Sequence, residues 1–204
     1  MINPPADLEH AEKFTIIDFV RRMDKTNYGH FVIYLSLFKF ATSIAAPFFA
    51  VYMLRELNFS YLQFTMIIAS ELVASFIAMG IWGKMIDDKG TKYVLYITGM
   101  LTPLIPFFWL FSQNYWYLLF IEVFSGIAWA GFNLVTANYV FDLVGSQNRM
   151  LYTAYYNSLT TFSVFLGALA GSQLKQFGTF FGLNGFLFLF AISFLCRFAV
   201  ALFF

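Results

Sequence analysis

The chain has 204 residues, 60% of them hydrophobic and 11% charged, and carries a net charge of +1. Soluble domains usually hold about 25% charged residues, so these charges cannot clothe a wholly water-facing surface and part of the solvent must be lipid. The scattered Lys and Arg offer no basic field to nucleic acid. The single cysteine, Cys196, cannot form a disulfide within the chain and reads as a small apolar packing residue.

Residues 1–12 are polar and carry Pro4 and Pro5, which is not the pattern of a cleavable signal peptide, so the first span is expected to direct insertion. Next, Phe14, Ile16, Ile17, Phe19, Val20 and Met23 alternate with Asp18, Arg21, Arg22 and Asp24. This pattern predicts a short amphipathic helix at the cytoplasmic interface, either a linker to a preceding domain or a simple anchor. Residues 1–29 are therefore read as a cytoplasmic segment, and residues 30–204 as a membrane bundle.

A helix needs about 20 apolar residues to cross the roughly 30 Å hydrocarbon layer. Six stretches qualify: Phe31–Leu54, Tyr61–Trp82, Tyr93–Phe111, Tyr115–Phe141, Leu151–Gly171 and Phe180–Phe204. Membrane strands would alternate over about ten residues, and these runs are apolar all round. The expected fold is all-α, a polytopic bundle of six transmembrane helices. With a cytoplasmic N-terminus, Lys13, Arg21, Arg22, Lys25, Lys84, Lys89, Lys92 and Arg149 fall inside, against Arg55 and Lys175 outside. The positive-inside rule favours that orientation, and Tyr115, Trp116 and Tyr117 suit an outer aromatic belt.

After the second span runs Gly83-Lys84-Met85-Ile86-Asp87-Asp88-Lys89-Gly90-Thr91-Lys92. Here Gly90 permits a positive-φ turn, and Asp87 can cap the next helix or pair with a base. Gly83, Asp87, Gly90 and Lys92 resemble the cytoplasmic loop signature of the major facilitator superfamily. Asp88 and Thr91 depart from it, standing where the family prefers basic residues. The stretches Pro47 to Leu54, Ser125 to Asn133 and Tyr139 to Asp142, followed by Arg149 and Asn157, resemble the C-terminal six-helix halves of prokaryotic members. The resemblance implies a transporter of twelve spans, whose central cavity the first and fourth helices here would line. A second six-helix half, either an N-terminal half or another copy, would then be needed.

Charges at membrane depth cost at least about 2.5–3.5 kcal/mol each at a helix centre, and so become functional hypotheses. Lys39 lies about 12 Å along the first span, and Glu71 near the middle of the second. The two either pair or each face a wet cavity; snorkelling is the third choice for Lys39. On the fourth span Glu122, Gly126, Trp129, Asn133 and Thr136 keep one face in line, which suits a cavity wall or close helix packing. Asn157 can reach a similar depth, with an interhelical hydrogen bond as the competing role. Asp142 and Arg149, near Asn138, are expected to form a cytoplasmic loop contact or gate, and Arg197 to snorkel to the inner interface. Gly167 and Gly171 permit close helix contact, while Pro47, Pro103 and Pro106 should kink or open their spans.

His10 and His30 have no metal-ligand spacing, and no nucleophile elbow, phosphate loop or Cys pair occurs. Neither an enzyme nor a metal or cofactor is expected. The reading is a multi-pass protein of the cell membrane that moves a small-molecule substrate by alternating access as one half of a facilitator-type transporter. Coupling to protons through Glu71 or Glu122 fits this reading, because a carboxyl group withdrawn from water can load and release a proton. The alternative is a non-transporting membrane scaffold or regulatory subunit that kept the bundle.

Overall fold

The computed structural model of the chain describes residues 27–143, 149–182 and 184–203. All regular structure among them is helical: α1 (Asn27–Val51) continued by a π turn (Tyr52–Glu56), α2 (Tyr61–Lys89), α3 (Thr91–Leu101), α4 (Leu104–Phe108), α5 (Tyr115–Leu143), α6 (Arg149–Phe180) and α7 (Gly185–Phe203). The interfacial helix expected over Phe14 to Asp24 lies outside the described residues. Four elements are long and apolar enough to cross a membrane: α1 with its π turn, α2, α5 and α7. The remaining two expected spans differ in kind. α6 is 32 residues long but dotted with Ser, Thr, Asn and Gln, and the third span is broken into α3 and α4.

Proline chemistry sets that break. Pro103 has no N–H for the carbonyl of Gly99, and the Thr102 hydroxyl donates there instead at 3.3 Å. Pro106 likewise withholds a donor from the Thr102 carbonyl, which accepts from Ile105 N at 3.3 Å and from the guanidinium of Arg197. Pro47 stays inside α1, and the helix widens into its π turn at Tyr52, five residues later. There the Leu57 N–H reaches back to the Tyr52 carbonyl at 3.0 Å, and Asn58 leaves the helix at φ +53°, a conformation Asn tolerates.

Helix starts follow local chemistry. Ser60 and Gln63 form a reciprocal capping box on α2. The Asn114 side chain accepts from Trp116 N and Tyr117 N at the start of α5, and Asn184 does the same for Phe186 N and Leu187 N at α7. The segment expected as a loop over Gly83 to Lys92 is instead helical through Lys89, and the single residue Gly90, at φ +85°, turns the chain into α3. Lys84, Asp87, Asp88 and Lys89 belong to a helix end that needs no burial, so their charge does not stop the helix. Similarly, α6 runs past Gly171 to Phe180, and the last span begins at Gly185 after a turn at Gly182, φ +72°.

α5 packs along α2 and α3, while α1 packs along α6 and α7. Small residues carry both unions. A methyl group at Gly126 would run into the Glu71 carbonyl, and one at Gly167 or Gly171 into the carbonyls of Phe40 or Ile44. Two clusters of buried side chains result. One gathers Phe31, Leu35 and Phe38 with Trp82, Leu95 and Phe132. The other joins Tyr52 and Met53 to Ile67, Trp109, Leu118 and Phe190. Trp129 packs against both. Outside, α2 exposes Leu72, Val73, Phe76 and Ile77, an apolar face suited to lipid.

Candidate functional site

Between the two helix groups lies a cavity of about 250 Å³, and five elements contribute to its wall. From α1 come Thr42, Ala46, Phe49 and Ala50, with Met53 from its π turn; α2 gives Ile68 and Glu71; α4 gives Ile105. From α5 come Glu122, Ser125 and Trp129, and α7 supplies Arg197. Helical spacing explains the grouping: Thr42, Ala46, Ala50 and Met53 step by four, four and three, as Glu122, Ser125 and Trp129 step by three and four. Three ionisable side chains thus meet inside an otherwise apolar bundle.

Arg197 is 1% exposed. Its Nε donates to Ser193 Oγ at 3.1 Å, and its terminal nitrogens donate to the carbonyls of Thr42 at 3.1 Å and Thr102 at 3.4 Å. Ser193 Oγ in turn donates to the Ala41 carbonyl at 2.8 Å. This corrects the expectation that Arg197 snorkels to the inner interface. Counted from the chain's last residue it looks close to an edge. Counted from the start of α7 at Gly185 it lies about 18 Å deep, and main-chain carbonyls take the place of water.

Glu122, 8% exposed, accepts from Trp109 Nε1 at 3.1 Å. That indole is itself fixed by Phe49, with centroids 4.8 Å apart, and by Phe190 at 5.8 Å. Ser125 Oγ donates to Glu71 Oε1 at 3.4 Å, and Glu71 and Ser125 are the polar neighbours of the Glu122 carboxyl group. None of the Arg197 hydrogen bonds goes to either carboxylate. The Thr42 hydroxyl is buried without a hydrogen-bond partner.

Lys39 belongs to the same stripe of α1, one turn before Thr42. Its Nζ stands 5.6 Å from the Trp129 ring centroid, an aromatic contact; of the alternatives open for it, pairing with Glu71 is not seen among the described residues. Glu71, Glu122 and Trp129 therefore meet at one cavity with Lys39 beside it. Asn133 and Asn157 are exposed and line no part of it. Among the described residues the Asn157 side chain makes no interhelical bond of the kind expected; its main-chain carbonyl accepts from Thr160 Oγ1 at 3.2 Å. Asp87 and Lys92 are exposed, and α3 starts from Gly90, which has no side chain to cap it. Asp142 and Arg149 fall at the facing ends of α5 and α6, but their side chains lie outside the described residues, and so does any contact between them.

Sequence reasoning missed Trp109, Ser125, Thr42 and Ser193. One signal was legible: Ser193 and Arg197 stand four residues apart on the last helix, so they share a face.

Residues 31–204 match the family model of the Major Facilitator Superfamily. The chain belongs to that superfamily. No curated protein and no solved structure matches it. Major facilitator proteins are transporters, and the apolar helices make this chain a membrane protein. The superfamily also gives context for a buried guanidinium, a buried carboxyl group at Glu122 and a half-buried one at Glu71, which a purely lipid-facing anchor would have no use for.

Proposed function

We propose that the chain forms one six-helix half of a secondary transporter, in the C-terminal position, and that it moves a small solute across the cell membrane by alternating access. The observation that carries this reading is the cavity where Glu71, Glu122 and Arg197 converge from three helices. Charged groups at that depth are costly and characteristically mark a substrate or ion pathway. The half would rock against a second six-helix half, its site lying near the midplane.

Six crossings follow if α6 and the α3–α4 pair also span. At 1.5 Å per residue α6 is about 48 Å long, and Thr91 to Phe108 covers about 27 Å. The contact of Gly167 and Gly171 with the main chain of α1 supports placing α6 in the same layer as α1. A cytoplasmic N-terminus then puts Lys84, Lys89 and Lys92 inside and Arg55 and Lys175 outside. Lys39, Asn133 and Asn157 belong to the pathway as groups flanking the cavity. Asp142 with Arg149, and the joint of Gly83, Asp87, Gly90 and Lys92, belong to its cytoplasmic closure. Glu71 and Glu122 are the groups through which protons would couple. No catalytic role is assigned to any residue.

Flux across vesicles tests the proposal. The chain, alone and together with a candidate N-terminal half, is reconstituted and screened for uptake of small solutes under a proton gradient. Saturable uptake that falls at least tenfold in both Glu71→Gln and Glu122→Gln is the expected result. Uptake unaffected by the two substitutions would remove the cavity from the pathway, and no flux with any partner half would favour the scaffold.

A further inference from the structure

We infer that α4 is a hinged part of the cavity wall, and that Trp109 is the positioning residue that latches it to Glu122 according to the charge on that carboxyl group. This rests on the transporter reading, in which Glu122 exchanges a proton, and adds the moving part on which that exchange would act.

The joint is built into the main chain. Pro103 and Pro106 withhold two helical donors within four residues, and sharp helix bends concentrate at such places. The Gly99 carbonyl is served by the Thr102 hydroxyl at 3.3 Å, and the Thr102 carbonyl by Arg197 at 3.4 Å and by Ile105 N at 3.3 Å. All three bonds are long, and two come from side chains, which can follow a change of backbone angle. Beyond the joint α4 has only five residues, Leu104–Phe108, too few for a helix to hold itself. Its position is therefore set by what it touches.

One of those contacts depends on charge. Ile105 lines the cavity, and Trp109, at the C-terminal cap of α4, donates to Glu122 at 3.1 Å. The other ties do not titrate. Phe107 meets Phe194 with centroids 4.9 Å apart, Phe108 meets Phe124 at 5.7 Å, and the Phe108 carbonyl accepts from Tyr117 Oη at 2.9 Å. An N–H donor binds a carboxylate about twice as strongly as a neutral oxygen. Ionised Glu122 thus holds α4 against α5, and protonated Glu122 holds it less, a roughly tenfold change in the balance of latched and released forms. The charged groups that face Glu122 are Glu71 from α2 and Arg197 from α7, with Lys39 of α1 against Trp129. Among the described residues none of these three hydrogen-bonds to Glu122. The Trp109 N–H is the donor that another element brings to it.

The bend can be read as a distance. Spin labels on Tyr96→Cys in α3 and Phe111→Cys just past α4, both exposed positions, are placed in the purified full chain carrying Cys196→Ser, in lipid nanodiscs. A bend of about 20° moves the far label, about 13 Å beyond the joint, by about 5 Å. Two distances that far apart are expected, the second gaining about tenfold on the first as falling pH protonates Glu122. Glu122→Gln should hold the ratio at its acid value at every pH. Trp109→Phe should raise the second distance further and abolish the pH response, which loss of packing alone would not do. Pro106→Ala returns a donor to the Thr102 carbonyl and should suppress the second distance; it stays informative if Trp109→Phe does not fold. A single distance at every pH overturns the inference. So does a pH response that survives in Glu122→Gln or Trp109→Phe, or a pair of distances that Pro106→Ala leaves unchanged. The measurement needs neither solute nor partner half, so a missing bend leaves the transporter reading to the flux measurement, and missing flux leaves the bend standing.

Discussion

Arg197 fastens three helical elements through atoms that cannot be mutated away, the carbonyls of Thr42 and Thr102. The second of these lost its helical donor to Pro106, so the guanidinium repairs a defect the sequence itself creates. Replacing Arg197 with Leu removes one donor each from the Thr42 carbonyl, the Thr102 carbonyl and the Ser193 hydroxyl, which keep their other partners. At about 1.5–3 kcal/mol per hydrogen bond to a charged group, a loss of about 3 kcal/mol or more is expected, read as a lowered Tm in detergent; an unchanged Tm would make the network incidental. Trp109→Phe keeps the ring against Phe49 and Phe190 but removes the donor to Glu122. A loss of about 1–3 kcal/mol is expected, and a Trp109→Phe chain as stable as the parent would show that Glu122 finds a substitute. Much of this site was legible beforehand: the stripe of Glu122 and Trp129 follows from helical spacing, and Glu71 from its depth. Asn133 shares that stripe and yet is exposed, because periodicity tells which residues share a face but not where the neighbouring helices along it end.

Elements pack here by close approach of main chains, so glycines rank in importance by what lies beside them. Gly171 abuts the Ile44 carbonyl, whereas Gly80 has nothing near its missing Cβ. Gly171→Val should part α6 from α1 and destabilise by at least about 1–3 kcal/mol. Gly80→Ala, in mid-helix, should be neutral or stabilising by about 0.5–1 kcal/mol. Thermal unfolding of the two variants side by side checks the contrast, and equal behaviour would refute the packing account. The helices themselves were readable as apolar runs, but their ends were not. The charged stretch from Lys84 to Lys89 looks like a loop only if charge is taken to end a helix, and at a water-facing terminus it does not. The break between α3 and α4 was foreshadowed by Pro103 and Pro106, while its repair by Thr102 and Arg197 depends on tertiary contact that no local pattern contains.

For the whole molecule, the decisive matter is whether water and solute reach the cavity. Ala46 lines it and is exposed; Phe76, 82% exposed, stands on the apolar outer face of α2. Alternating access requires the first position to meet water from each side in turn, and a lipid-facing position never to do so. Single cysteines at Ala46 and at Phe76, in a Cys196→Ser chain reconstituted with the proposed partner half, can be probed by a membrane-impermeant thiol reagent applied to either face of sealed vesicles. The account predicts that the cysteine at Ala46 reacts from both sides and is protected by a transported solute, while that at Phe76 stays inert. A cysteine at Ala46 as unreactive as the one at Phe76, from both faces, would contradict it.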